Sequence, residues 1–109
     1  AEYLEGTTFS GTGGQLDFVR GAFASKGGKS ILAFYSTAKS GTISRIVPRL
    51  PIGSVVTTPR ADTDFLATEH GIVSLKGRST RDRALLIISL AHPKFRDGLM
   101  EEAENMYLI

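Results

Sequence analysis

The glycine-rich segment at residues 10–15, SGTGGQ, constrains the fold of this chain more than any other feature. It separates a strand-like stretch, residues 3–9, from a helix-like stretch, residues 16–23. Glycine tolerates positive φ and has no Cβ, so another molecule can approach the backbone closely. The first N–H groups of the following helix lack partners and lie at its positive dipole end. The segment therefore indicates a site for a phosphate, a carboxylate or an acyl oxyanion, with a tight structural turn as the equal alternative.

The familiar nucleotide-binding templates do not fit this segment. A dinucleotide fingerprint that starts at Gly11 requires glycine where Leu16 stands. Residues 28–30, GKS, have the ending of a nucleotide P-loop, but the glycine required five residues before Gly28 is Phe23. A nucleoside triphosphate site is therefore not expected.

The charge balance argues against a nucleic-acid partner. The chain has 109 residues, with 13 lysines and arginines against 11 aspartates and glutamates, for a net charge of +2. The basic residues are scattered and are not interleaved with aromatic side chains, as a single-strand binder requires. We expect a small-molecule ligand.

Metal and membrane partners are not predicted either. The chain has no cysteine, and its two histidines, His70 and His92, belong to no spaced ligand motif. The absence of cysteine is compatible with the reducing cytoplasm, where we expect the protein to act. The longest apolar run, residues 84–91, is far shorter than the ~20 residues that cross a bilayer.

The middle of the chain reads as a series of strands separated by turns. Residues 29–35 form an apolar run typical of a strand that is buried on both faces. Alternation predicts a half-exposed strand at residues 43–47, and β-branched residues favour another at 54–58. Residues 65–68 are apolar, and residues 72–77 predict one more strand.

Two helices are predicted near the C-terminus. Ser79, followed three residues later by Asp82, has the form of a capping box that begins the first helix. Pro93 ends that helix and suits the first position of the next, with His92 as its N-cap or junction residue. Apolar residues recur at helical spacing in both helices: Ala84, Leu85, Ile88 and Ala91, then Phe95, Leu99, Ala103 and Met106. The order predicts one α/β domain over residues 1–109, an open mixed sheet with flanking helices.

Four motifs together resemble a known family. They are SGTGGQLDF at residues 10–18, SRIVP at 44–48, VTTPRAD at 56–62 and TEHG at 68–71. In this order they resemble the C-terminal domain of the acetyl-CoA hydrolase and CoA-transferase family, most closely its 4-hydroxybutyrate and butyrate CoA-transferases. Each motif alone is weak, whereas the four in order are specific.

The resemblance implies the C-terminal part of a longer two-domain enzyme. Such an enzyme moves coenzyme A between an acyl-CoA and a short-chain carboxylic acid through a glutamyl-CoA thioester. The resemblance leaves an acyl-CoA hydrolase, in which water reaches that thioester, as the alternative. The family's nucleophilic glutamate lies before the glycine segment, in a part of the enzyme that this chain does not contain. The chain is therefore expected to lack the nucleophile and to be inactive alone. The expected partners are the N-terminal domain of the same enzyme and further copies in a homo-oligomer. Acyl-CoA and the acid are the ligands, without a metal.

The predicted site combines the glycine segment with two later residues. Arg60 can hold a phosphate or carboxylate, or can pair with Asp62 or Asp64. Glu69 is a candidate site residue, and a solvated or salt-bridged carboxylate outside the site is the equal alternative. In a strand, Glu69 and His70 would point to opposite faces, so that one of them at most would reach the site. The predicted contacts to CoA are Gly11, Thr12, Gly13, Gly14, Gln15 and Arg60.

Two alternatives belong to other functional classes. A stand-alone module with this fold can bind CoA or another anion without catalysis. A purely structural interaction domain can use the glycine segment only as a strand-to-helix turn.

Overall fold

The computed structural model describes residues 3–4, 7–8 and 13–109 of the chain. Its strands are β1 (Tyr3–Leu4), β2 (Thr7–Thr8), β3 (Ile31–Ala33), β4 (Thr37–Ala38), β5 (Ile43–Ser44), β6 (Phe65–Thr68) and β7 (Gly71–Ser74). Its helices are α1 (Gln15–Ala24), α2 (Thr80–Ser89) and α3 (Pro93–Asn105).

The central sheet has the order β3-β6-β7 and is mixed. Strand β3 pairs with β6 in parallel, with Leu32 opposite Leu66, and β6 pairs with β7 in antiparallel fashion. Two further antiparallel pairs, β1-β2 and β4-β5, lie outside this sheet. The prediction of an open mixed sheet with flanking helices is confirmed.

The core forms where the junction of α2 and α3 packs on the sheet. Its buried cluster consists of Ile46, Leu90, Ala91 and Leu99. Side chains of the sheet and of both helices pack against it: Phe34, Leu66, Val73, Ile87, Ile88 and Phe95. The Thr68 hydroxyl donates to the Leu90 carbonyl at 2.7 Å and so joins the end of β6 to this junction.

Local signals placed the two C-terminal helices correctly. The Asp82 N–H donates to the Ser79 hydroxyl at 3.1 Å, which is the predicted N-cap of α2. Pro93 begins α3, and the Lys94 N–H donates to Nδ1 of His92 at 3.2 Å. His92 is therefore the N-cap of α3, which was one of its two predicted roles.

Three strand predictions need correction. Residues 3–9 contain the two short paired strands β1 and β2 instead of one strand. Residues 54–58 form no strand, because Val55 and Val56 are exposed and have no described strand beside them. The strand predicted at 29–35 is only β3, and it is not buried on both faces. It lies at the edge of the sheet and alternates in exposure, since Ile31 is 52% exposed while Leu32 is partly buried.

Candidate functional site at the carboxyl ends of the parallel strands

Glu69 lies just beyond the carboxyl end of β6, in the two-residue turn that leads into β7. Its Oε1 accepts a hydrogen bond of 2.9 Å from the backbone N–H of Ser36, which follows β3. Because β3 and β6 are parallel, their carboxyl ends meet at one edge of the sheet. Two residues 33 positions apart are thereby brought into contact.

Ser36 favours the ionised form of the Glu69 carboxylate. The Ser36 hydroxyl and then its backbone N–H lower the pKa of Glu69 below its usual range, and nearby His70 adds to the effect. That hydroxyl is buried and lies beside the carboxylate, although it is not in full hydrogen-bonding geometry. An ionised carboxylate can accept hydrogen bonds and attract cations, but it has no proton to donate.

His70 faces Glu69 directly, which corrects the prediction that the two side chains point to opposite sides. Its Nε2 lies 3.6 Å from Oε1 of Glu69. The alternation rule fails here because both residues belong to the hairpin turn and not to a strand. The His70 ring also contacts the His92 ring edge to face, with 5.5 Å between the centroids.

An open pocket of about 500 Å³ lies along this edge of the sheet. Glu69 and Arg45 contribute the charged side chains to it, and Tyr35 is 74% exposed there. The lining is completed by Ala33, Phe34, Ala67 and Thr68. The pocket therefore combines an apolar floor with one carboxylate and one guanidinium.

The start of α1 is a second place where an anion can bind. Gly14 is the N-cap of α1, and no side chain caps this end among the described residues. The N–H groups of the first turn can therefore donate to a ligand. Gly13 and Gly14 are exposed, whereas Gly11 and Thr12 lie outside the described residues.

The amide of Gln15 is engaged by the protein itself. Its Nε2 donates to the Thr58 hydroxyl at 2.8 Å. A two-point ion pair lies further along α1, with Arg20 Nε and Nη2 at 3.0 and 3.2 Å from the carboxylate oxygens of Asp62. The hydrogen bond from Arg20 lowers the pKa of Asp62. These contacts hold α1 against the segment before β6.

Arg60 has neither of the carboxylate partners that the sequence left open. Asp62 pairs with Arg20, and Asp64 accepts a hydrogen bond from the Ser74 hydroxyl at 3.0 Å. Among the described residues, no ion pair is formed by the Arg60 guanidinium. It lines a cleft separate from the Glu69 pocket.

The structure thus groups the predicted site residues into separate places. Glu69 lies in the pocket at the sheet edge, Gly13, Gly14 and Gln15 lie at or next to the start of α1, and Arg60 lies in its own cleft. Sequence reasoning missed Ser36 and Tyr35 altogether and left Arg45 undecided. A prediction that β3 and β6 pair in parallel would have found Tyr35 and Ser36, which follow the carboxyl end of β3. Arg45 follows β5 and is joined to this place by the hydrogen bond from its backbone N–H to the Ser36 carbonyl, at 2.8 Å.

No cluster of three or more metal-ligating side chains occurs within the described part of the chain. None of the described helices has the length and apolar character needed to cross a membrane.

Comparison with known proteins finds relatives over nearly the whole chain. The family model for the acetyl-CoA hydrolase/transferase C-terminal domain matches residues 1–103. The 4-hydroxybutyrate coenzyme A transferase of Clostridium kluyveri is 52% identical over 98 residues, which cover 90% of this chain and 23% of that protein.

Two solved structures agree with these sequence matches. The crystal structure of RipA from Yersinia pestis superimposes with a TM-score of 0.83 at 61% identity, over 88% of this chain and 22% of that chain. A 4-hydroxybutyrate CoA-transferase from Porphyromonas gingivalis gives a TM-score of 0.74 at 48% identity, over 85% of this chain and 22% of that chain. The chain spans about a quarter of the length of the relatives it matches.

Proposed function

Because this chain belongs to the acetyl-CoA hydrolase/transferase C-terminal domain family, we propose that it is the C-terminal part of a longer CoA-transferase. This enzyme moves coenzyme A from an acyl-CoA to a short-chain carboxylic acid, in the manner named for several relatives. The observation that carries the proposal for this chain's own residues is an open pocket at the sheet edge that both Glu69, whose pKa is lowered, and Arg45 line.

The reaction needs a carboxylate nucleophile, which we place upstream of residue 1. That glutamate attacks the thioester carbonyl, the C–S bond breaks, and a mixed anhydride and CoA thiolate result. The thiolate then attacks the glutamyl carbonyl and releases the first acid, which leaves a glutamyl-CoA thioester. Attack by the second acid and return of the thiolate repeat these two steps in reverse. No net proton or electron is consumed.

The start of α1 is suited to the oxyanion that forms when the thioester is attacked. Backbone N–H groups of the glycine segment, with the positive end of α1 behind them, would stabilise that negative charge. Gly11, Thr12, Gly13, Gly14 and Gln15 are the proposed contacts. Since its amide nitrogen is bound to Thr58, Gln15 contributes its backbone N–H and fixes the loop.

The Glu69 pocket has a different part in the proposal. A carboxylate substrate would be repelled by ionised Glu69 and attracted by the guanidinium of Arg45, which can bind it through two parallel hydrogen bonds. Glu69 can accept hydrogen bonds from the amide N–H groups of the CoA arm. The two charges would orient an acid and a CoA relative to each other.

The rest of the enzyme is needed for activity. Since the relatives are about four times as long, we propose that an N-terminal domain of the same polypeptide supplies the nucleophile and closes the site. Assembly into a homo-oligomer and a cytoplasmic location complete the proposal. A hydrolase differs only in that water attacks the glutamyl thioester.

The second candidate function is a non-catalytic module that binds CoA or another anion. The start of α1, which no side chain caps among the described residues, favours this candidate, because it attracts anions whether or not a nucleophile is present. The two functions differ in one respect: the transferase forms a covalent adduct with CoA, whereas the module binds CoA only reversibly.

The test uses the complete gene product that contains this chain. Incubation with butyryl-CoA is expected to yield protein with the added mass of CoA minus one water, and CoA is expected to pass to acetate. Mass spectrometry and a transfer assay measure the two results. Reversible CoA binding with neither adduct nor transfer would contradict the transferase and support the module.

A matched pair of variants tests the role of this chain. Glu69→Gln removes a charged hydrogen-bond acceptor and is expected to lower kcat/KM about tenfold or more. Glu104→Gln makes the same change on the exposed face of α3, away from the pocket, and is expected to have no effect. Equal activities of the two variants would show that Glu69 does not contribute to the substrate site.

A further inference from the structure

A second cleft, of about 170 Å³, opens between the turn at residues 60–61 and the start of α2. Four basic side chains line it together with Ala61 and Thr80: Arg60, Lys76, Arg78 and Arg83. It shares no lining residue with the Glu69 pocket. Its volume is well below the roughly 300–1,000 Å³ of sites that enclose a whole small ligand, so it suits a single group of a ligand.

The basic side chains of the cleft are held by neutral groups. Nη1 of Arg83 donates to the Leu75 carbonyl at 2.8 Å and Nη2 to the Arg60 carbonyl at 3.3 Å. Nε of Arg78 donates to the Ser74 carbonyl at 3.3 Å. These contacts orient the two guanidinium groups and leave their charges uncompensated.

Lys76 is also oriented by an uncharged group, since its Nζ lies 3.6 Å from the centre of the Phe23 ring. It contributes to the lowered pKa of Asp62, but that carboxylate forms its ion pair with Arg20. Asp82 lies in the first turn of α2 and does not line the cleft. Among the described residues, no ion pair joins any of the four basic side chains to a carboxylate.

The basic groups are close enough to repel each other. Partial burial and, after it, the charge of Arg60 lower the pKa of Arg83. Binding of an anion would relieve the repulsion among these positive charges. Guanidinium groups match the oxygens of a phosphate geometrically, and the positive end of α2 adds to the attraction.

We propose that the cleft formed by Arg60, Lys76, Arg78 and Arg83 binds a phosphate monoester dianion. A phosphate is favoured over a carboxylate because its extra charge and third oxygen use more of the four donors. One source is the 3′-phosphate of CoA, in which case the inference rests on the proposed function. The other source is free phosphate or a separate phosphorylated ligand.

The experiment measures binding of inorganic phosphate, CoA and dephospho-CoA to the complete gene product by calorimetry. Arg60→Gln and Arg78→Gln each remove one charged donor and are expected to weaken phosphate binding about tenfold. Arg83 is kept because it also anchors two carbonyls. The matched control is Arg81→Gln, since Arg81 is an exposed arginine of α2 that does not line the cleft.

The pattern across ligands identifies the source of the phosphate. If Arg60→Gln abolishes the preference for CoA over dephospho-CoA, the 3′-phosphate is the ligand. If that preference is unchanged while phosphate binding falls, a free phosphate is the ligand. Both results support the proposal that the cleft binds a phosphate group.

Two results would overturn the inference. The first is a parent protein that neither binds inorganic phosphate nor prefers CoA to dephospho-CoA. The second is equal weakening by Arg81→Gln and the cleft variants. Activity is scored separately. If CoA transfer persists in a protein that does not bind phosphate, only the phosphate-binding role of the cleft is rejected. If phosphate binds but no acyl-CoA adduct forms, only the proposed transferase activity is rejected.

Discussion

At the scale of single residues, the contact between Ser36 and Glu69 has the clearest chemical consequence. It joins the two parallel strands at the edge where the candidate pocket opens, and it lowers the pKa of the carboxyl group. A group whose pKa is lowered on folding stabilises the folded chain at a pH above its ordinary pKa. That contribution is lost as the pH falls through the lowered value.

We therefore expect Glu69 to titrate below the usual range of glutamate when its carboxyl carbon is followed by NMR. Ser36→Ala removes the hydroxyl but keeps the backbone N–H, so it is expected to raise the pKa of Glu69 only part of the way. Ser36→Thr retains the hydroxyl and is the control. A titration midpoint at or above the ordinary glutamate value in the parent chain would contradict this account.

The free energy of unfolding should depend on pH in the same direction. Glu69→Gln is expected to destabilise the fold at neutral pH and to have a vanishing effect in acid, below the lowered pKa. Urea unfolding at several pH values measures the difference. A constant difference between the variant and the parent at every pH would show that ionisation of Glu69 does not stabilise the fold.

At the scale of elements, the helices are defined by their ends and the strands by their partners. Ser79 and His92 are recognisable as N-caps because a cap acts on N–H groups only two or three residues away. Residues 54–58 have the composition of a strand but form none. Strand preference reflects packing against neighbouring strands, and no strand of the described part of the chain lies beside the exposed Val55 and Val56.

The cap of α2 can be tested directly. Ser79→Ala removes the acceptor for the Asp82 N–H and is expected to reduce the free energy of unfolding by about 1 kcal/mol. Ser79→Asp keeps an acceptor at the same place and should retain most of the stability. The two free energies are measured by urea denaturation, and equal losses would show that the cap is dispensable.

At the scale of the whole molecule, we expect the buried cluster at the junction of α2 and α3 to contribute strongly to stability. Leu90 is 1% exposed at the junction of α2 and α3, so Leu90→Ala leaves a cavity and is expected to cost about 2–5 kcal/mol. Leu50 is 55% exposed, and Leu50→Ala is expected to cost no more than about 0.5 kcal/mol. Comparable losses in urea denaturation would mean that the cluster is not the stabilising core.

The surface of the chain predicts association. Phe18 is 81% exposed, and Ile52 and Tyr107 are nearly or fully exposed, which is unusual for so many large apolar side chains. We expect this chain, studied alone, to self-associate in sedimentation experiments. The double variant Phe18→Ser with Ile52→Ser should shift it towards monomer, whereas Thr42→Ser, an exposed polar control, should not. A clean monomer of the parent at high concentration would contradict the prediction.

The sequence by itself determined the features that depend on near neighbours: the glycine segment before α1, the cap at Ser79 and the start of α3 at Pro93. It also carried the four motifs that predict the family, and the comparisons confirm that family. Only the tertiary structure decided which distant residues meet. Parallel pairing of β3 with β6 brings Ser36 to Glu69, and a hairpin turn brings His70 to face it. These contacts depend on strand register and on burial of the sheet against α2 and α3, which no local pattern encodes.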